Sequence, residues 1–149
     1  MARSLNILLV EDSPDDALLV STAVERTLSG IRVLLVHNGQ EAMRYLDGQP
    51  PYGDRTRHPF PDLVLLDLKM PLVNGFEVLR WIRSQPGLRR LPVIVLTGSL
   101  LPEDKQRAYD EGANSYLVKP LDFSGMMQTI KSMGEFWLAG PRFPDAGQV

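Results

Sequence analysis

The sequence predicts an α/β fold in which helices cover both faces of a parallel sheet. Five short runs are rich in Val, Ile and Leu and show little alternation with polar residues. Such continuous apolar runs are typical of strands that are buried on both faces of a parallel sheet. Longer segments with helical spacing separate the runs, which indicates a doubly wound fold with right-handed crossovers. The predicted strands are Leu5–Val10, Ile31–Val36, 62–66, 91–96 and Ser115–Val118.

Three of the intervening segments carry an apolar stripe near 100° per residue, which is typical of an amphipathic helix. The stripes are Ala17, Val20, Val24 and Leu28; Phe76, Leu79 and Ile82, with Arg83 at the edge; and Phe123, Met127, Ile130 and Trp137. Ser13 and Pro14 stand where an N-cap and a first helical residue belong. Gly30 and Gly112 are expected at helix ends, because glycine tolerates the left-handed conformation found there.

Segment 48–61 is longer than the about 2–6 residues that are usual for a connection in this kind of fold. It contains Pro50, Pro51, Pro59 and Pro61, and these prolines exclude a helix or a central strand. We therefore expect a surface excursion. Such a loop can be functional or merely tolerated, and the sequence leaves both alternatives open.

Length and charge limit the organisation and the partners of the protein. The chain has 149 residues, of which 44% are hydrophobic, enough for one domain with a sizeable core. We expect a single domain over residues 1–149, with a core at about 5–138 and a loosely ordered tail over 139–149. A net charge of −2 gives no broad basic field, so nucleic acid is not expected as a partner.

The sequence also limits the compartment. The absence of cysteine excludes disulfides and cysteine-ligated zinc. The longest apolar runs are far shorter than the roughly 20 residues of a membrane-spanning helix. Asn6 and Glu11 interrupt any signal-peptide core near the N-terminus. We therefore expect a cytoplasmic protein with no membrane partner.

Polar side chains follow four of the predicted strands at their carboxyl ends. They are Glu11 and Asp12 after the first strand, Asp67 after the third, Thr97 after the fourth and Lys119 after the fifth. The carboxyl ends of parallel strands share one edge of the sheet, where open α/β sheets place their ligands. By analogy with flavodoxin-like folds the strand order is 2-1-3-4-5, which makes Asp12 and Asp67 face each other.

Carboxylates that cluster at one edge need cationic groups nearby. Two carboxylates at roughly 4 Å repel by about 4 kcal/mol at an effective dielectric near 20. Lys119 supplies one fixed positive charge, and a hard divalent cation with oxygen ligands, Mg²⁺, fits the remaining need. Two acids, a lysine, a hydroxyl and a metal suit phosphoryl transfer to a carboxylate nucleophile.

Each of these residues also has an ordinary structural interpretation. A single Asp after a strand is often the N-cap of the next helix, and Lys-Pro is common in turns. Five such residues in the chain order that one catalytic edge requires are harder to explain as turns.

The chain resembles the response-regulator receiver family of two-component signalling systems. The matching motifs, which together span residues 6–138, are Leu8-Leu9-Val10-Glu11-Asp12, Leu65-Leu66-Asp67-Leu68-Lys69-Met70-Pro71, Asn74-Gly75-Phe76-Glu77, Val95-Leu96-Thr97-Gly98, Gly112-Ala113 and Tyr116-Leu117-Val118-Lys119-Pro120. The resemblance implies a flavodoxin-like receiver fold that accepts a phosphoryl group from a sensor histidine kinase. It also implies that the protein is not an enzyme acting on external substrates, because receivers catalyse only their own phosphorylation and autodephosphorylation.

The resemblance implies a phosphoacceptor and a metal site. Asp67 corresponds to the phosphoacceptor of the family. Asp12 corresponds to a direct Mg²⁺ ligand, with Glu11 acting nearby or through water. The backbone carbonyl of Lys69 is the third protein ligand that the family leads us to expect.

The resemblance also implies a switch. Thr97 resembles the hydroxyl that binds a phosphoryl oxygen, and Lys119 resembles the lysine that pairs with the phosphoryl group. The Lys119–Pro120 bond is usually cis in the family. Tyr116 stands where the family has its rotating switch aromatic, although a plain strand aromatic is the alternative.

Two further features are similar to a subgroup of the family. The proline-rich loop before the third strand, and a last helix that continues into Glu135-Phe136-Trp137-Leu138, resemble the single-domain regulators paired with bacterial phytochromes. The resemblance therefore implies a phytochrome-type sensor histidine kinase as the partner. In the family, the kinase docks on the first helix and on the loop after the fifth strand.

Exposed apolar residues predict where partners bind. We hypothesise that Leu19 points away from the core and contacts the kinase, although a single exposed leucine is also normal. Receivers commonly dimerise through the fourth helix, fifth strand and fifth helix. Leu100, Leu101 and Phe136 would suit a similar homodimer.

Three other functions fit the sequence less well than a receiver does. A dehalogenase-like phosphatase also forms an aspartyl phosphate but needs Asp-x-Asp, and the second position here is Lys69. A nucleotide- or flavin-binding module on the same fold needs a glycine-rich motif, and no G-x-G-x-x-G or Walker motif appears. A receiver that only serves as a scaffold is disfavoured, because all five polar residues of the predicted edge are present.

Overall fold

In a computed structural model, residues 5–138 are described, and they form five strands and five α-helices in alternation. The strands are β1 (Leu5–Val10), β2 (Ile31–Val36), β3 (Leu63–Leu66), β4 (Val93–Thr97) and β5 (Ser115–Val118). The helices are α1 (Pro14–Thr27), α2 (Gly39–Asp47), α3 (Gly75–Ser84), α4 (Pro102–Asp110) and α5 (Phe123–Trp137), with a 3₁₀ turn at Pro86–Leu88. The predicted tail, 139–149, lies outside the described residues, as do residues 1–4.

The sheet is parallel and has the order β2-β1-β3-β4-β5, which confirms the predicted flavodoxin-like arrangement. β1 lies between β2 and β3, with Val10 paired to Val36 on one side and to Leu66 on the other. The chain therefore leaves β1 and β3 at adjacent points of the same edge. β4 begins at Val93, later than predicted, since Pro92 has no N–H to donate to a ladder.

The two faces of the sheet carry separate apolar layers, as the continuous runs predicted. Ile7, Leu9, Leu63 and Leu65 contact the buried faces of α1 and α5. The alternate strand residues Leu8, Val10, Val64 and Leu66 contact α2 and α3. These eight side chains are at most 2% exposed, so the central strands are held from both sides and present their ends as a rigid edge.

The N-terminus of α1 is fixed as predicted. The Ser13 hydroxyl accepts a hydrogen bond from the Asp16 N–H at 3.2 Å, and Pro14 is the first helical residue. Asp15 and Asp16 lie in this first turn, where the helix dipole favours negative charge. The start of α1 therefore places acidic side chains beside the carboxyl edge of the sheet.

The prediction that Leu19 points outward is wrong. Leu19 is half-buried and packs against the layer between the sheet and α1 and α5, whereas Leu18 is 68% exposed. The buried face of α1 includes Ala23, which the predicted stripe omitted. Adding Ala23 turns the centre of the buried face toward Leu19 and away from Leu18.

The predicted stripe of α5 is displaced by about one position. Met126, Ile130 and Met133 are its buried side chains, while Phe123 and Met127 are only half-buried. Gly134 lies on the same buried face, and a Cβ there would overlap the Leu28 side chain after α1. The close approach of α1 and α5 at this glycine sets which face of α5 is covered.

Segment 48–61 forms an ordered surface excursion against α2. The Tyr45 ring contacts the Tyr52 ring at a centroid distance of 4.9 Å, and the His58 ring stands edge-on to Tyr52 at 5.1 Å. The Tyr45 hydroxyl donates to the Pro59 carbonyl at 2.8 Å, and Arg55 donates to the carbonyls of Leu46 and His58. Side chains of the segment itself and of α2 thus hold the segment in place.

Residues 5–138 contain one cis peptide bond, and none of their helices could span a membrane. Pro50–Pro51 is the cis peptide bond of this part of the chain, so the expected cis bond between Lys119 and Pro120 is wrong. None of the helices between residues 5 and 138 has the length and apolar character needed to cross a membrane.

Candidate functional site

Three acidic side chains meet where β1 and β3 end. Glu11 directly follows β1, and its N–H donates to the Val36 carbonyl at 3.1 Å, so it continues the β1–β2 ladder. Asp67 directly follows β3, and its N–H donates to the Val10 carbonyl at 3.2 Å. One carboxylate oxygen from each of Glu11, Asp12 and Asp67 lies within 4.8 Å of the others. The structure therefore brings together the three acids that the sequence singled out.

The three acids differ in exposure. Glu11 and Asp67 are buried, at 2% and 7% exposed, while Asp12 is exposed. Hard oxygen ligands at this spacing are the donors that a divalent cation such as Mg²⁺ prefers. The cluster could therefore hold a metal ion, with Asp12 on the solvent side. Lys69 is also exposed, and its N–H lies 3.5 Å from Asp67 Oδ1; its carbonyl as a ligand stays a prediction.

The Lys119 ammonium lies in the middle of the acidic groups. Its Nζ is 2.7 Å from Glu11 Oε1, 2.8 Å from Asp16 Oδ2 and 2.9 Å from Asp67 Oδ2. The Lys119 N–H donates to the Thr97 carbonyl at 2.8 Å, which extends the β4–β5 ladder and aims the side chain at this edge. An ammonium group has three donors, and three carboxylates receive them.

Burial and charge shift two pKa values at the site in the same direction for different reasons. Burial raises the pKa of Glu11 to about 7, the hydrogen bond from Lys119 opposes this rise, and the charge of Asp67 adds to it. Burial alone would lower the pKa of Lys119, but the hydrogen bonds to Asp16, Glu11 and Asp67 outweigh it and raise the pKa. The lysine is therefore a permanent positive charge at the site.

Thr97 lies at the end of β4 and is 1% exposed. Its hydroxyl accepts a hydrogen bond from the Ser99 N–H at 3.4 Å. The Tyr116 hydroxyl donates to the Ser99 carbonyl at 3.1 Å, and the Ser99 hydroxyl donates to Asp104 at 2.5 Å. Ser99 thus joins the predicted switch hydroxyl, the predicted switch aromatic and the first turn of α4.

The half-buried Tyr116 ring packs at the edge of a small apolar cluster. The buried members of that cluster are Leu68, Phe76, Val95 and Ala108. This position fits both alternatives for Tyr116. A plain strand aromatic would stay packed against the cluster, and a switch aromatic would rotate away from it. Its hydrogen bond to Ser99 is the feature that a plain strand aromatic does not need.

Sequence reasoning missed two residues at the site. Asp16 contacts Lys119, but in the sequence it has only the ordinary position of an acid in the first turn of a helix. Ser99 connects Thr97 and Tyr116. The one signal for Ser99 in the sequence is its position two residues after Thr97. Asp16 stands four positions after Asp12, and that short spacing along the chain could have placed Asp16 near the site.

Similarity to known proteins decides the family of the chain. Residues 7–131 match the family described as "Response regulator receiver domain". The chain belongs to this family. The receiver is 41% identical to the "Probable methanogenesis regulatory protein FilR2" of Methanothrix harundinacea (strain 6Ac) over 138 residues, or 93% of this chain and 86% of that protein.

Solved structures of response regulators, among them a phytochrome response regulator, resemble the receiver over almost its whole length. The phosphorylated cyanobacterial phytochrome response regulator RcpA is 37% identical, with a TM-score of 0.88 over 96% of this chain and 100% of that chain. The Mn(2+)-bound form of response regulator Rcp1, a protein of Synechocystis sp., is 34% identical, with a TM-score of 0.83 over 95% and 99% of the two chains. The predicted similarity to phytochrome response regulators is confirmed.

Proposed function

We propose that Asp67 of this receiver accepts a phosphoryl group from a sensor histidine kinase and that the modification switches protein–protein interactions. The observation that carries the proposal is the environment of Asp67. Its Oδ2 contacts the Lys119 ammonium at 2.9 Å, and its carboxylate lies within 4.8 Å of oxygens of Glu11 and Asp12. A carboxylate nucleophile beside a fixed cation and a candidate metal site suits phosphoryl transfer.

In the proposed reaction, an Asp67 carboxylate oxygen attacks the phosphorus of the donor and forms an acyl phosphate, while the bond from phosphorus to the donor breaks. Glu11, Asp12, Asp67 and the Lys69 carbonyl would hold Mg²⁺, which neutralises charge on the transferring group when bound. Lys119 donates a hydrogen bond to a phosphoryl oxygen. The Thr97 hydroxyl, at the end of the neighbouring strand, donates another.

The new charge on Asp67 would reach the surface through Ser99. Movement of Thr97 toward the phosphoryl group carries the Ser99 backbone with it, because Ser99 follows two residues later and bonds to the Thr97 hydroxyl. The Tyr116 hydroxyl then loses or changes its hydrogen bond to the Ser99 carbonyl. The proposed switch thus biases the loop after β4 and the start of α4, as local electrostatic switches do.

A mass-spectrometric experiment tests the phosphoacceptor directly. The protein is incubated with Mg²⁺ and acetyl phosphate, a small acyl phosphate, and the modified residue is located after digestion. We expect a hydroxylamine-labile phosphate on Asp67 and none in the Asp67→Asn variant, whose amide is not a nucleophile. Glu77→Gln is the matched control, since Glu77 is an exposed acid in the capping box of α3. Phosphate on another residue, or no phosphate at all, overturns the proposal.

The similarity to the phytochrome response regulator RcpA supports a sensor kinase of the phytochrome type as the partner. The exposed apolar residues near the site support a docking surface on α1 and on the loop after β5. Leu18 is 68% exposed on α1, and Leu121 is fully exposed in that loop. Leu18 thus takes the place that the sequence assigned to Leu19.

Leu18→Ala separates kinase docking from chemistry. Transfer from the sensor kinase that phosphorylates the unmodified protein is expected to fall about five- to tenfold, since an apolar contact is lost. Phosphorylation by acetyl phosphate, which needs no docking, is expected to stay the same. Leu35→Ala provides the control, because Leu35 is exposed at the far edge strand β2. The docking role is contradicted if Leu18→Ala and Leu35→Ala slow transfer from the kinase equally. It is also contradicted if Leu18→Ala slows phosphorylation by the kinase and by acetyl phosphate equally.

A homodimer through α4, β5 and α5 is part of the same proposal. Leu100 is 79% exposed, Leu101 is 48% exposed and Phe136 is 56% exposed, which supports an apolar contact on this side. A sedimentation series at increasing protein concentration, with and without phosphorylation, decides it, and monomer throughout excludes the dimer.

A further inference from the structure

Asp16 is a fourth acid at the site and does not belong to the cluster of Glu11, Asp12 and Asp67. Its Oδ2 lies 2.8 Å from the Lys119 Nζ, although the two residues are 103 positions apart in the chain. The Asp16 side chain is 40% exposed, so it reaches the lysine from the solvent side. The other two partners of the lysine, Glu11 and Asp67, approach from the buried ends of β1 and β3.

The position of Asp16 is fixed by the start of α1. The Asp16 N–H donates to the Ser13 hydroxyl at 3.2 Å, and the Ser13 N–H donates to Glu11 Oε2 at 3.1 Å. Ser13 therefore joins two of the three acids that contact Lys119. A helix cap alone requires only the first of these bonds.

The number of acceptors determines how firmly the ammonium is held. With three carboxylates at 2.7 to 2.9 Å, the ammonium has as many acidic neighbours as it has N–H groups, and three contacts restrain the nitrogen. With Glu11 and Asp67 alone, the ammonium can pivot about the line that joins those two acceptors. Asp16 removes that freedom, and Lys119 is the side chain that must face the phosphoryl group.

We infer that Asp16 is a positioning residue, which fixes the Lys119 ammonium against Asp67 for phosphoryl transfer; this inference rests on the proposed function. Asp16 does not touch the transferred group. Its contribution is orientation of a donor, and such orientation lowers the barrier because less freedom is lost in the transition state. The same contact ties the first turn of α1 to the end of β5.

The chain offers a matched control for the ordinary role of Asp16. Asp15 shares the first turn of α1 and favours the helix dipole in the same way. Asp15 is exposed, and the Lys119 ion pairs within residues 5–138 involve Glu11, Asp16 and Asp67 instead. Asp15→Ala therefore reproduces the loss of helix-terminal charge without the loss of the lysine contact.

The first measurement requires no phosphorylation. Hydrogen exchange of the Lys119 ammonium protons is followed by NMR, with Lys69, Lys105 and Lys131 as internal references. We expect clearly faster exchange in Asp16→Ala, a smaller acceleration in Asp16→Asn, which keeps an acceptor oxygen, and no change in Asp15→Ala. Unchanged exchange in Asp16→Ala overturns the inference, because Asp16 would then not hold the lysine.

The second measurement is the rate of Asp67 phosphorylation by acetyl phosphate in saturating Mg²⁺. For Asp16→Ala, the rate constant at saturating donor is expected to fall about three- to fivefold, the size typical of a partly exposed ion pair. The donor concentration at half-maximal rate should stay within about twofold, since Asp16 does not bind the donor. The inference is overturned if Asp16→Ala and Asp15→Ala lower the rate constant equally. It is also overturned if Asp16→Ala changes only the donor concentration at half-maximal rate.

The two measurements separate this inference from the proposed function. If the unmodified protein takes no phosphate on Asp67, the proposed function fails, and the rate prediction fails with it. The exchange measurement still decides whether Asp16 fixes Lys119. If the unmodified protein is phosphorylated and Asp16→Ala changes neither exchange nor rate, only the positioning role fails.

Discussion

Replacing Lys119 with methionine is expected to slow phosphorylation of Asp67 by acetyl phosphate by at least about 100-fold, the usual cost of removing one preorganised donor from a developing negative charge. Methionine keeps the length of the side chain and removes the ammonium. Lys119 is the cation that contacts both Asp67 and Glu11, at 2.9 Å and 2.7 Å. Intact-protein mass spectrometry over time measures the phosphorylated fraction.

The same variant is expected to bind Mg²⁺ more tightly, by about tenfold, because the acidic cluster loses its internal counterion and repels itself more strongly. The characteristic result for Lys119→Met is therefore slower phosphorylation of Asp67 together with tighter binding of Mg²⁺. Isothermal titration with Mg²⁺ measures the affinity. Lys131→Met is the control, since Lys131 is exposed on α5 and its loss changes the net charge equally. Weaker Mg²⁺ binding in Lys119→Met, or equal behaviour of the two variants, contradicts this assignment of Lys119.

The edge that holds this site could be predicted because its parts obey local rules. Continuous apolar runs identify β1, β3 and β4 without knowledge of their neighbours, and a parallel sheet brings their carboxyl ends to one side. Glu11 and Asp67 directly follow two of those runs, β1 and β3, and Lys119 directly follows β5. Their meeting was therefore a consequence of topology, and topology followed from the alternation of strands and helices.

The contacts that could not be predicted depend on small angles or on backbone groups. The predicted orientation of Leu18 and Leu19 depends on whether Ala23 is counted in the buried face of α1. Including Ala23 shifts the centre of that face by a fraction of a turn. The prediction for α5 failed in the same way, since its buried face follows the close contact at Gly134. An apolar stripe gives the period of a helix more reliably than its rotation.

Arg83 shows a second reason for such failures. The sequence placed it at the edge of the α3 stripe, a position typical of a solvated charge. Its guanidinium instead donates to the carbonyls of Gly112, Arg89 and Leu91 and to the Asn114 side chain. Most of these acceptors are backbone oxygens, which every residue carries, so no side-chain pattern indicates them.

Gly75→Ala is expected to lower the free energy of unfolding by about 3 kcal/mol. This value is the upper end of the destabilisation that is typical when an extra carbon is forced into a packed site. A Cβ at this position would meet the Asp67 carbonyl oxygen, and would lie 2.7 Å from Leu68 Cα and 3.0 Å from the Asp67 carbonyl carbon. All three atoms belong to the backbone and cannot rotate away. Urea unfolding followed by tryptophan fluorescence measures the change.

Gly87→Ala adds the same methyl group where nothing lies within 4 Å, in the exposed 3₁₀ turn Pro86–Leu88. This control is expected to stay within about 0.5 kcal/mol of the unmodified protein. Similar unfolding free energies for the two variants would mean that the backbone after β3 yields easily. The contact between α3 and the Asp67 loop would then not be a rigid one.

The effect of Gly75→Ala should extend from stability to the site, because the crowded atoms belong to the loop that carries Asp67, the proposed phosphoacceptor. The Gly75 N–H donates to the Leu68 carbonyl at 2.9 Å, so α3 begins directly on this loop. A methyl group there must displace either α3 or the Asp67 backbone. We therefore expect slower phosphorylation of Asp67 in folded Gly75→Ala and an unchanged rate in Gly87→Ala. An unchanged rate in a destabilised Gly75→Ala would show that α3 moves and that Asp67 keeps its place between β1 and Lys119.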